Sequence, residues 1–224
     1  MHKKRSSYMI EAVLFDLDGT VADTNALIYA SFQAMFTEKL GITVADETIY
    51  NFFGEPLEKT LRRYEEDPKD LLDFYRAHNL KHHDEMVTAF EGVEEALIHL
   101  KAKGLPLGIV TSKREEMARR SLSCLGLTKY FDVIVTPEYT KEHKPSKEPL
   151  LKACELLGGV DPTKTIMVGD AVYDILCGQG AGAYTAGVTY SKVSLDRLRA
   201  LKPSYMLDDL RELLPIVDTL NAKA

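Results

Sequence analysis

Cysteine is scarce in this 224-residue chain, and the three present, Cys124, Cys154 and Cys177, form no CxxC pair. An odd number at wide spacing argues against a disulfide framework or a zinc site and points to free thiols in a reducing compartment. Positive charge is also in deficit: 28 Lys and Arg against 34 Asp and Glu leave a net charge of −6. Nucleic acids and anionic membranes both require concentrated Lys and Arg, so neither is an expected partner. No apolar run is long enough to span a bilayer. The basic start (His2, Lys3, Lys4, Arg5) has the sign of a signal peptide, but Glu11 and Asp16 interrupt the apolar stretch behind it. The expectation is a cytoplasmic protein with residues 1–8 as a loose tail and a first strand opening at Met9. There is no G-x-x-x-x-G-K-[ST] motif, which excludes a P-loop NTPase. Internal repeats, low-complexity tracts and heptads are absent too.

What is there reads as an ordinary globular chain, 45% hydrophobic and 28% charged. Five short apolar runs have the continuous pattern of strands buried on both faces of a parallel sheet. They are AVLF at 12–15, LGIV at 107–110, VIV at 133–135, TIMV at 165–168 and YTAGV at 184–188. Amphipathic stretches at 92–103, 114–125 and 149–157 lie between them, each followed by a glycine, as helix C-termini prefer. Alternating strand and helix predicts an α/β, doubly wound, Rossmann-like parallel sheet. From Val21 to about Thr88 the pattern is helical with no convincing strand, over 25–40, 46–53, 57–64 and 68–78. The predicted organisation is therefore a core of 1–20 and 89–224 with a small helical cap, 21–88, inserted after the first strand. An insertion of that length at a strand end reads as a lid.

In open α/β sheets, ligands bind beyond the carboxyl ends of the strands. Asp16 and Asp18 follow the first run, Thr111 and Ser112 the second, Lys144 the third, and Asp170 with Asp174 the fourth. Several carboxylates converging on one edge repel one another and call for a cation, and hard oxygen donors favour Mg²⁺. A carboxylate can attack phosphorus, and a second carboxylic acid can protonate the leaving oxygen and then deprotonate water. Thr111, the amides after it and the Lys144 ammonium can hold phosphate oxygens. Other features read more plainly. Gly178, Gly180 and Ala183 spell a loose G-x-G-x-x-A at a helix end, out of context for a dinucleotide site. His82 and His83 are adjacent, so they face apart on a helix and read as solvated surface rather than as metal ligands.

FDLDGT at 15–20 closely resembles the first signature of the haloacid dehalogenase-like phosphatases. IVTS at 109–112, HKP at 143–145 and VGDAVYD at 168–174 continue the resemblance in order over nearly the whole chain. The resemblance implies that Asp16 is the nucleophile and that Asp18 is the general acid/base and lends Mg²⁺ its main-chain carbonyl. It implies that Thr111 and Lys144 hold phosphate, that Asp16 and Asp170 ligate the metal, and that Asp174 orients metal waters from behind. Ala171 departs from the Ser that many relatives carry there. DTN at 23–25, HHDE at 82–85, GQGAG at 178–182, TAGVTY at 185–190 and YMLD at 205–208 resemble a pyrophosphatase branch of that family, with phosphoglycolate phosphatases as close cousins. Inorganic pyrophosphate is thus the first expected substrate and 2-phosphoglycolate the second. The loop Gly54, Glu55, Pro56, Leu57 is either a plain helix start or the cap loop that touches substrate, with Arg62 or Arg63 as a neighbouring cation. A sugar phosphomutase and a non-catalytic phosphate-binding regulator remain open, and the protein is expected to be a monomer or homodimer.

Overall fold

The computed structural model describes residues 10–190 and 192–222. The expectations for the basic start, the tail and Met9 lie outside the described residues. In chain order the elements are β1 (Ala12–Phe15), β2 (Ala22–Asp23), α1 (Asn25–Met35), α2 (Asp46–Tyr50), α3 (Leu57–Leu61), α4 (Lys69–Met86) and β3 (Thr88–Ala89). There follow α5 (Val93–Ala102), β4 (Leu107–Val110), α6 (Glu115–Cys124), β5 (Val133–Val135), α7 (Glu148–Leu156), β6 (Thr165–Gly169) and α8 (Val172–Ala181). The chain closes with β7 (Tyr184–Val188), α9 (Leu195–Ala200), β8 (Tyr205–Leu207) and α10 (Leu213–Ala222).

Six strands form one parallel sheet in the order β5-β4-β1-β6-β7-β8. The α/β, Rossmann-like expectation holds, because each of the apolar runs is screened from water on both faces by helices. β1, β4 and most of β6 and β7 are fully buried. The chain leaves β1 toward β4 and β5, then crosses back to β6 and continues outward to β8. The reversal falls between β1 and β6, which pair from Ala12↔Thr165 to Phe15↔Val168. The crevice beyond that point is where such sheets bind ligands.

Residues 25–86 carry an apolar cluster of their own, including Phe32, Met35, Phe36, Ile49, Phe52 and Tyr75. Val193, from the loop after β7, joins that cluster. The sequence expectation of no strand in this region needs correcting: β2 and β3 pair antiparallel at the two points where the chain enters and leaves the helices. Two residues per strand are too few for a periodic signal. β8 was also not expected; it is short and only half-buried at Tyr205 and Met206. The expected helix 25–40 ends in a π-helical turn at Phe36–Leu40, closed by Gly41. The expected helix 68–78 runs on to Met86.

That extension overturns the solvated reading of His83. His82 and His83 do face apart, but His83 is fully buried where α4 meets α6. Its Nε2 lies 2.8 Å from Ser121 Oγ and its Nδ1 2.7 Å from Asp84. Arg120 donates two bonds to Asp84, at 2.9 and 2.8 Å. A polar ring is tolerated there because both nitrogens have partners. Cys154 and Cys177 are buried, with thiols pushed up to about 11 by burial, and Cys124 is exposed. Among the described residues no helix is long and apolar enough to cross a membrane.

His83→Ala, which strands Ser121 and opens a void, should lower unfolding stability by about 1–3 kcal/mol. His82→Ala should stay within about 0.5 kcal/mol of the unaltered protein. Urea unfolding of the two variants side by side checks the contrast; equal effects would contradict the buried position.

Candidate active site

Asp16 continues β1 directly, its N–H donating to Val168 O at 2.8 Å across the β1–β6 junction. The next strand over, β6, ends at Gly169 with Asp170 directly after it, so the register of one strand pair sets two carboxylates side by side. Gly19 closes the turn after β1 at φ +81°, a left-handed conformation that favours glycine. A Cβ at that position would lie 2.3 Å from Asp170 Oδ2. The turn is therefore drawn against Asp170 more closely than any side chain permits.

Lys144 arrives from the loop after β5 and is 4% exposed. Its Nζ donates to Asp16 Oδ1 at 2.6 Å, Asp174 Oδ1 at 2.6 Å and Val110 O at 3.0 Å. The second oxygen of Asp174 accepts from Ala171 N at 3.0 Å, which fixes the first turn of α8. One oxygen from each of Asp16, Asp170 and Asp174 lies within 4.8 Å of the others, and all three residues are buried. Burial is the largest influence on Asp16 and raises its carboxyl to about 7; Lys144 pulls the other way, while Asp174 and Asp18 add to the rise. Burial works against the Lys144 charge as well, but Asp16 and Asp174 outweigh it and hold the ammonium above its ordinary value. One ammonium is shared by two of the three carboxylates, Asp16 and Asp174, and carries a single charge. A hard divalent cation fits this donor set, all carboxylate oxygen with no sulfur or imidazole.

Asp18 stands beside the triad, with Lys113 Nζ donating to its Oδ1 at 2.7 Å. Sequence reasoning passed over Lys113. It follows directly after Thr111 and Ser112, and a cation next to phosphate-side hydroxyls was a usable signal. Thr111 is buried and its Oγ1 accepts from Lys113 N at 3.1 Å. The Ser112 hydroxyl is buried with no hydrogen-bond partner among the described residues. A buried hydroxyl without a partner is costly and suits an oxygen-rich ligand that completes it.

The loop at 54–57 lies over the core. Gly54, at φ +79°, sits so close to Ala171 that a Cβ on it would be 2.4 Å from the Ala171 Cβ. Glu55 is buried and accepts from Thr60 at 2.8 Å, Arg63 at 2.7 Å and Tyr173 at 3.0 Å, with Lys59 at 3.1 Å. Burial opposes its charge, but the bonds from Thr60, Lys59 and Tyr173 and the nearby Arg63 outweigh that, so its carboxyl lies below the usual range. Leu57 packs on the apolar cluster of the helices. Of the two candidate cations, Arg63 belongs to the Glu55 group, whereas Arg62 turns away to Glu58 and the carbonyl of Glu66. Tyr173 was not singled out from sequence, although it lies inside the fourth motif.

The haloacid dehalogenase-like hydrolase family profile matches residues 13–188. The chain is 44% identical to the PpaX protein of Clostridium perfringens over 215 residues, covering 96% of this chain and 100% of that one. It is 39% identical to the pyrophosphatase PpaX of Bacillus cereus over 213 residues, 95% of this chain and 98% of the relative. A haloacid dehalogenase-like family hydrolase from Streptococcus pneumoniae superposes with a TM-score of 0.82 at 25% identity, covering 93% of this chain and 98% of the other.

Asp16 makes stability fall as pH rises toward neutrality. Its folded value of about 7 exceeds the ordinary 3.8, so between these pH values the unfolded chain has released a proton that the folded chain still holds. Raising the pH through that window therefore removes stability. Urea unfolding in chelator should show this component falling, and Asp16→Asn should flatten it. An unchanged profile in the variant would contradict the assignment.

Proposed function

Because the chain belongs to the haloacid dehalogenase-like hydrolase family and its PpaX relatives mark it as a phosphatase within that family, we propose that it hydrolyses small phosphates through an aspartyl-phosphate on Asp16. The observation that carries this reading is the buried Asp16–Lys144–Asp174 contact beside Asp170 at the β1–β6 reversal. Asp16 attacks phosphorus with one carboxylate oxygen, forming an acyl phosphate as the bond to the leaving oxygen breaks. Asp18 gives its proton to that leaving oxygen. Asp18 then accepts a proton from water as the water oxygen attacks the phosphoryl group, releasing phosphate and restoring the Asp16 carboxylate. Thr111, Ser112 and Lys144 hold the transferring oxygens where charge develops.

The helices at 25–86 act as the cap in this scheme, shutting out bulk water. Asp16, Asp170 and the main-chain carbonyl of Asp18 would hold Mg²⁺, with Asp174 bracing the loop from behind. When bound, that ion offsets the repulsion between the carboxylates and the phosphate oxygens. Asp16→Asn should abolish measurable turnover with the fold intact, and Lys144→Met should lower kcat/KM by roughly two orders of magnitude. Chelation should stop turnover and added Mg²⁺ should restore it. Retention of more than about a tenth of kcat by Asp16→Asn would sink the nucleophile assignment.

Inorganic pyrophosphate is the proposed substrate, supported by the pyrophosphatase name of the Bacillus cereus relative and by Arg63 and Lys59 gathered on Glu55 beside the site. A compact, highly charged substrate suits cations near its leaving end. A kcat/KM panel of pyrophosphate, 2-phosphoglycolate and sugar phosphates in saturating Mg²⁺ tests this. Pyrophosphate should lead; if it trails another substrate by tenfold, the substrate assignment fails and the phosphatase remains.

A further inference from the structure

Asp16 is 6% exposed and Asp170 2%. With so little surface at these carboxylates, entry of a phosphate group calls for movement of what covers them, and the helical unit packs against the same edge through Gly54 and Ala171. Among the described residues, two sets of contacts stand out between it and the sheet domain. One joins His83 and Asp84 on α4 to Ser121 and Arg120 on α6, a few residues from the β3 crossing. Contacts that near the point of attachment can ride through a small rotation. The other set is formed far along the chain from either crossing: Gly54 against Ala171, Glu55 with Tyr173, and Asn51 accepting from Arg197 at 3.0 Å. These must part for the unit to lift.

We propose that Glu55 and Tyr173 are the latch of the closed enzyme, positioning residues that hold the helices over the catalytic carboxylates and release them for substrate exchange. Glu55 suits the task because three of its partners, Thr60, Lys59 and Arg63, travel with it. When Tyr173 withdraws, the carboxylate keeps those partners and its charge stays compensated, while the tyrosine hydroxyl turns to water. At Glu55 opening then costs one hydrogen bond to a charged group rather than an orphaned buried ion, in addition to the Asn51–Arg197 bond, the Gly54–Ala171 contact and the packing of Val193. Tyr173 occupies the first turn of α8 between Asp170 and Asp174, so the latch is mounted on the same rigid segment as two of the site carboxylates. Only one atom of the core side need change to test it.

The purpose of the latch rests on the phosphatase reading, but its test does not. Hydrogen exchange followed by mass spectrometry on the full chain compares the unaltered protein with Tyr173→Phe and Glu55→Gln. Tyr173→Phe should speed exchange at residues 51–61 by about tenfold and leave β1 and β6 unchanged. Glu55→Gln, which keeps an acceptor for Tyr173, should fall between the two. In turnover of pyrophosphate, Tyr173→Phe should raise KM by a similar factor with kcat within about twofold. Unchanged exchange at 51–61 overturns the latch, and so does acceleration spread equally over β1 and β6, which marks general destabilisation. If exchange behaves as expected and pyrophosphate is not turned over, the latch stands and the substrate assignment falls.

Discussion

A single ammonium organises this molecule. Lys144 sits between Asp16 and Asp174, with the Val110 carbonyl as a third acceptor. Those acceptors come from the ends of β1 and β4 and from the first turn of α8, so one side chain ties three elements of the sheet domain at their ligand-binding edge. Burying it among carboxylates is tolerable only because every donor proton has an oxygen to meet. Three buried carboxylates meet there around one ammonium, which is why the proposed function calls for a cation alongside phosphate. Stability and chemistry are therefore in tension at one point, as is common where function is built in.

The helical unit answers a different constraint. A reaction that transfers phosphorus to a carboxylate must exclude stray water during the first step and admit one water in the second. A cover that is permanently shut cannot do this, and neither can one that is permanently open. In the proposed scheme that need is met by separable contacts at residues 51–55, while Arg120 and Asp84 pair near the crossing. The β2–β3 ribbon, two residues on each side, joins the two halves with little to resist bending.

Much of this was legible in the amino-acid order, and the reasons are physical. Runs such as AVLF and TIMV stand out because a strand covered on both faces has no use for polar residues. The acids at 16, 18, 170 and 174 and the Lys at 144 could be placed on one edge because parallel strands all end there. What escaped notice was set by partners far away in the chain. His83 looked like surface because its burial depends on Ser121 and Arg120, some forty residues on. The ribbon at 22–23 and 88–89 is too short to carry a pattern. Lys113 sat just past one recognised motif and Tyr173 within another, but their contacts arise only in the fold: Lys113 meets Asp18 where β4 and β1 end side by side, and Tyr173 meets Glu55 when the helices are laid against the sheet. Glu55 could be read as near the site, yet nothing in its neighbours along the chain revealed that it would be held by four groups at once.

The position of Val193 bears on how such enzymes diversify. It belongs by sequence to the sheet domain, but its side chain completes the apolar interior of residues 25–86. The helices are thus not a self-sufficient module that can be cut at its two crossings and grafted onto another member of the family. A transplant would arrive with a hole in its interior unless the recipient's loop after β7 supplied a residue of matching shape. A change of volume in the helical interior around Val193 therefore has to be matched in a loop more than a hundred residues away along the chain.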